Sequence, residues 1–202
     1  AADVASVLGK TTEETIKLQN AAQDLGATTI FTATEVQGLQ KELAKLGFTE
    51  QQILSAQEAI LQLAAATNTD LARAAEVAAS TVRSLGLTAS DTQEVVDVMV
   101  KSFSSSGLDL ERFAESMKLV APTARATGRD LQDVTTMLGV MADNGISGSL
   151  AGTQLSRVFI ELNKKGLTLE EALSKVTKSQ NKLSAATDLV GDRGAKHAVK
   201  HA

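Results

Sequence analysis

Leu43-Ala44-Lys45-Leu46-Gly47-Phe48-Thr49-Glu50-Gln51-Gln52-Ile53 reads as one helix ending and another beginning. Gly47 can take the left-handed conformation that closes a helix, and Phe48 can pack back on its last turn. Thr49 then caps the next helix, with Gln52 three residues on to complete a capping box. The string recurs at Gly86-Leu87-Thr88, Gly107-Leu108-Asp109, Gly145-Ile146-Ser147 and Gly166-Leu167-Thr168. Gly128-Arg129-Asp130 keeps the glycine and the cap. Gly26 is expected to end an earlier helix, and Asn68 stands where another left-handed residue is needed. Thr32 with Glu35 and Thr168 with Glu171 also fit the box. Positive φ is expected at Gly47, Gly86, Gly107 and Gly166.

These stops divide the chain into short helices near 12–25, 34–46, 50–66, 70–85, 89–105, 110–127, 131–144, 149–165, 169–180 and 184–201. Apolar residues recur at helical spacing, as in Ile53 and Ile60, in Val95, Met99 and Phe103, and in Leu110, Phe113, Met117 and Val120. The expected fold is all-α: a multi-helix bundle or irregular helical stack of about nine to ten short helices joined by Gly-capped turns. Pro122 removes a backbone donor and should kink or break the helix at 110–127. The near-even spacing of the stops could mark a solenoid unit of roughly 40 residues. The intervening sequences do not repeat, so similar helix lengths explain the spacing better. The expected organisation is an N-terminal helix or linker at 1–25, a helical core domain at 26–183 and a C-terminal helix at 184–202 continuing into a longer chain.

A standing rod would leave every apolar face in water, at about 25 cal/mol per Å², so the chain should fold back on itself. Hydrophobic residues make up 43% of its 202 residues and charged residues 22%, enough for a real core. There is no cysteine, hence no disulfide and no thiolate chemistry. Residues 1–100 carry six basic and 13 acidic groups, and residues 101–202 carry 14 basic and 11 acidic. That asymmetry could steer association with another copy or a partner, although solvated helix faces are the plainer reading. No apolar run approaches the roughly 18 residues of a membrane span, and Ala1 to Lys10 lack the marks of a signal peptide.

Catalytic and metal-binding chemistry finds little purchase. His197 and His201 are the only histidines. Their i, i+4 spacing suits metal ligands, but Asp192 is the nearest carboxylate in sequence, and exposed histidines are the expected state. Glu13-Glu14 and Glu170-Glu171 are adjacent pairs that point about 100° apart on a helix; they suit a first turn, where negative charge complements the helix dipole. The stretch from Gly145 to Thr153 is glycine-rich before a helix, yet no Lys follows its last glycine and a helix, not a strand, precedes it. A close helix–helix turn fits it better than a phosphate loop. Lys164, Lys165, Lys175, Lys178 and Lys182 are interrupted by Glu170 and Glu171, a solvated face and not a nucleic-acid surface. No catalytic, cofactor-binding or metal-binding residues are assigned, and the chain is not expected to be an enzyme.

Five blocks carry a family resemblance: Gly26 to Val36, Leu43 to Thr49, Leu85 to Ala89, Val120-Ala121-Pro122, and Met141-Ala142-Asp143-Asn144-Gly145-Ile146-Ser147-Gly148-Ser149-Leu150-Ala151-Gly152-Thr153-Gln154-Leu155. In order and spacing they resemble the core region of phage tail tape measure proteins. The close from Val190 to Lys196 is similar too, whereas His197, Lys200 and His201 depart from the pattern. The resemblance implies a structural role: setting tail length, scaffolding tail tube assembly and leaving the tube at genome delivery. It implies partners in other copies, tail tube protein, distal tail or baseplate proteins and assembly chaperones. It places the chain in the tail tube lumen of the virion, and in host cytoplasm during assembly. It implies no cofactor, no specific nucleic-acid recognition, and membrane contact only through other parts of a longer chain. The competing expectation is a helical adaptor or protein-binding module without a tail role.

Overall fold

The computed structural model describes residues 2–179 and 181–190. Among them are eleven α-helices and no strand. They are α1 (Ala2–Leu8), α2 (Ile16–Thr28), α3 (Ala33–Lys45), α4 (Glu50–Thr67), α5 (Leu71–Ser84), α6 (Thr92–Ser105), α7 (Leu110–Ala126), α8 (Leu131–Asp143), α9 (Gly148–Lys164), α10 (Leu169–Lys178) and α11 (Lys182–Val190). Short 3-10 turns at Glu13–Thr15 and Ala89–Asp91 lead into α2 and α6.

The caps form as their residue types dictate. Glu35 N donates to Thr32 Oγ1 at 3.3 Å, and Thr32 N to Glu35 Oε2 at 2.7 Å. Thr49 with Gln52 and Thr168 with Glu171 close the same reciprocal pairs. Asp70, Asp109 and Asp130 each accept the backbone N–H three residues on. Gly47, Gly86, Gly128, Gly145 and Gly166 have φ between 62° and 88°, and Asn68 has φ 51°.

Three expectations are corrected. Gly107 does not take positive φ. Its N–H donates to Asp143 Oδ1 at 2.6 Å, a distant side chain taking the donor that a left-handed glycine would direct to a carbonyl of its own helix. Gly26 does not end a helix: α2 runs through it to Thr28. A Cβ there would lie 2.4 Å from Ala33 N, so this glycine admits the start of α3. Pro122 does not break α7, which continues to Ala126. It lies on the exposed side of the helix, and the nearby Leu119 carbonyl accepts Ser156 Oγ at 2.9 Å. The helix α1 falls within the stretch 1–25 expected to be a helix or linker, and its Val4 and Ala5 are buried.

Two compact units make up the chain, Ala1–Ser105 and Ser106–Ala202. In the first, α3 packs on α2, α5 and α1, while α4 packs on α6 and α5. Leu18, Leu39, Leu43, Ile53, Ile60, Leu63 and Met99 are fully buried there. Gln40 sits among them, donating to Leu18 O and to Gln57 Oε1, both at 2.8 Å. In the second unit α7 and α9 form the most extensive pair, with α8 on α9 and α11 against α9 and α10. Phe113, Leu138, Leu155 and Phe159 are buried in it, and a smaller cluster joins Leu162, Leu169, Val176, Ala186 and Leu189. The position 25/26 falls inside α2, and the division at 105/106 falls inside the 26–183 region.

Candidate functional site

The glycine-rich stretch from Gly145 to Thr153 is where the second unit is most tightly built. Gly145 closes α8 with φ 77°, and Gly148 opens α9 with φ 61°. A Cβ on Gly148 would meet Glu115 Oε2 at 2.5 Å. Ser147 occupies the cap position without a side-chain cap bond, and the Glu115 carboxylate of α7 brings negative charge to this helix start instead. One turn on, a Cβ at Gly152 would lie 2.5 Å from Ser116 O and 2.9 Å from Ser116 Cα. The α7 and α9 backbones therefore touch, as only a residue without a side chain allows.

Hydrogen bonds fasten this seam along its length. The single proton of the fully buried Ser116 hydroxyl is shared between Gly148 O at 2.8 Å and Arg112 O at 2.9 Å. Beside the seam, the turn before α7 is tied to the end of α8 by the bond from Gly107 N to Asp143 Oδ1 at 2.6 Å. Ser156 reaches Leu119 O, as noted above. The stretch is thus a helix crossing, in which Gly148 and Gly152 serve contact with α7.

Arg129 forms a second fastening. Its side chain is 10% exposed; Nη2 donates to Leu167 O at 2.7 Å and the guanidinium lies 5.9 Å from the Phe159 ring centroid. Asp133 approaches it at 4.0 Å. Burial pushes the Asp133 carboxyl above its ordinary range, Asp130 adds to this, and Arg129 opposes it. Arg83 does similar work in the first unit, with Nη1 donating to Leu46 O at 2.6 Å. Each arginine spans to the Gly-apolar-Thr turn of another helix pair. The alternation of short caps and glycines predicts the turns, but it gives no signal for which distant arginine fastens them.

The other sequence candidates resolve into local structure. Glu14 Oε2 accepts Thr11 N at 2.7 Å, and Glu171 Oε2 accepts Thr168 N at 2.8 Å. Lys164 pairs with Glu161 at 2.8 Å. His197 and His201 lie outside the described residues. Among the described residues, no group of three or more His, Cys, Asp or Glu could hold a metal ion, and no helix is long and apolar enough to cross a membrane.

An apolar recess opens in each unit. In the first unit Ile30, between α2 and α3, stands beside a recess of about 250 Å³ lined also by Phe31, Glu58, Leu61, Gln62 and Ala65. In the second unit a hollow of about 80 Å³ between α8, α9, α10 and α11 is lined by Met137, Val158, Leu162, Leu169, Leu173 and Val176, among other apolar residues.

Capped short helices, a backbone-to-backbone glycine crossing and open apolar recesses define a helical packing module. The pattern of the phage-related minor tail protein family matches residues 19–199, and the chain belongs to that family. It is 36% identical over 173 residues to a tape measure protein of Pneumococcus phage Dp-1, covering 86% of this chain and 15% of that relative. It is 25% identical over 184 residues to a probable tape measure protein of Escherichia phage P2, covering 88% of this chain and 23% of that relative. The chain therefore spans under a quarter of the length of the curated relatives it matches.

Proposed function

We propose that the chain is a structural segment of a tape measure protein, acting by packing and length and not by catalysis. Residues 26–183 would form its core region, flanked by 1–25 and 184–202. It would help set tail length, scaffold the tail tube from within its lumen, and leave when the genome is delivered. Other copies, the tube protein, distal tail or baseplate proteins and assembly chaperones would be its partners, first in host cytoplasm and then in the virion. The observation that carries this reading is the Met141 to Leu155 block. Its Gly148 and Gly152 lie against α7 at the α7–α9 crossing, and Gly148 O accepts Ser116 Oγ, which suits a scaffold. Deleting residues 26–183 in a phage carrying the gene tests it by electron microscopy of the tails. A ruler shortens the tail, by up to roughly 240 Å if each residue counts at the helical rise. Tails of unchanged length would remove the length-setting role.

A further inference from the structure

Among the described residues, one kind of helix end recurs at every third helix. Gly9, Asn68 and Gly128 follow α1, α4 and α7, and each takes positive φ, at 66°, 51° and 67°. The next residue is polar in each case: Lys10, Thr69 and Arg129. Its N–H donates to the carbonyl of a buried alanine, Ala5, Ala64 or Ala124, at 2.9, 3.1 and 2.8 Å. By contrast Gly47, Gly86, Gly107, Gly145 and Gly166 are all followed by an apolar residue. The three polar ends stand 59 and then 60 residues apart. Helices of similar length would space the stops evenly, but would not mark every third one.

Buried positions keep the same step. Ile53, Ala56, Ile60 and Ala64 of α4 are buried, and so, 60 residues on, are Phe113, Ser116, Val120 and Ala124 of α7. Leu71, Ala74 and Ala78 of α5 recur as Leu131, Val134 and Leu138 of α8. Thr92 and Val96 of α6 recur as Ala151 and Leu155 of α9, and Leu110, Phe113 and Met117 of α7 as Leu169, Ala172 and Val176 of α10, both at a step of 59. Residue identities mostly change while burial does not. Packing repeats too: the first helix lies on the third, as α1 on α3, α4 on α6 and α7 on α9. The middle helix also lies on the third helix before it, α5 on α3 in the first unit and α11 on α9 in the second. The division at Ser105/Ser106 falls at the end of one such triple.

We propose that the chain is a tandem of three-helix modules of 59–60 residues, with α4–α6 and α7–α9 as two of them. Modules join through the middle helix of one and the third helix of the module before. Helices α1, α2 and α3 hold the three places of another module, and α10 and α11 the first two places of the next. A unit that cannot bury its apolar faces alone is completed by its neighbours. Whole modules are then the increments in which a ruler of this kind lengthens. That consequence rests on the length-setting reading above; the module itself does not.

Two insertions into the full chain test it. A second copy of residues 47–106 placed after Ser106 adds a whole module. A second copy of 47–85 at the same point adds a helix pair, the α4 face that α6 would cover being left open. Both keep every native residue and join at a glycine followed by an apolar residue. Hydrogen exchange read on the intact chains counts the amides protected by folding. The whole module should add slowly exchanging amides in the same proportion per residue as the parent chain, whereas the pair should add far fewer per residue. A gain per residue from the pair equal to that from the module, or no gain from the module, would overturn the proposal. Neither outcome depends on tail length, so the tail-length deletion still judges the wider reading.

Discussion

Gly152 and Gly38 show how differently one residue type works at two places. At Gly152 a methyl group would press on the Ser116 backbone at 2.5 Å, and backbone yields little. Gly152→Ala should destabilise the chain by about 1–3 kcal/mol through overpacking. Gly38 is an exposed interior residue of α3, with nothing within 4 Å of its Cβ position. There the substitution should stabilise, by roughly 0.5–1 kcal/mol, because alanine loses less freedom on entering a helix. Thermal unfolding of the two variants should move in opposite directions, by about 2–4 °C per kcal/mol for a chain of this size. A rise in melting temperature for Gly152→Ala would contradict the crossing. Gly26→Ala, at 2.4 Å from Ala33 N, belongs with Gly152.

At the scale of elements, the capping boxes carry both the fold's punctuation and its response to acid. The Thr32 backbone N–H and hydroxyl hold the Glu35 carboxyl below its ordinary value of 4.5, and Thr168 does the same for Glu171. A carboxyl whose folded pKa is lowered stabilises the fold above its unfolded pKa, and that contribution is lost as pH falls through the folded value. Stability should therefore decline as pH drops below about 4.5. Glu35→Gln with Glu171→Gln keeps the acceptors and removes the titration, so its melting temperature should depend less on pH in that window. An equal slope in both proteins would show that the boxes are not the source. These boxes were legible because their chemistry is local: cap and partner are three residues apart. Gly107 misled for the same reason in reverse, since nothing in the triplet reveals that its N–H is taken by the distant Asp143. The Gln40–Gln57 bond, the reach of Arg83 to Leu46 and that of Arg129 to Leu167 span 17 to 38 residues. Such pairings depend on the finished packing and leave no mark on local sequence. Gln40→Leu should strand the Gln57 side-chain oxygen in the core and cost about 1–3 kcal/mol, read in the denaturation midpoint.

Over the whole molecule, the governing fact is that each short helix has one apolar face and an early stop. Such helices lower their free energy by covering one another, and each of the two units has its own buried core. The fold class and most turn positions follow from that pattern. The division at 105/106 does not, because apolar faces say that they will be covered but not by which partner. The central claim is that this tail-family segment, free in solution, folds back on itself instead of standing as a continuous helical rod. Lys118 on α7 and Thr153 on α9 are exposed neighbours of the seam and accept spin labels through cysteines without disturbing it. The most direct measurement is the dipolar distance between labels at these two positions. Packed helices place them within about 20 Å; a distance near 50 Å, the span of 35 residues at about 1.5 Å each, would contradict the account.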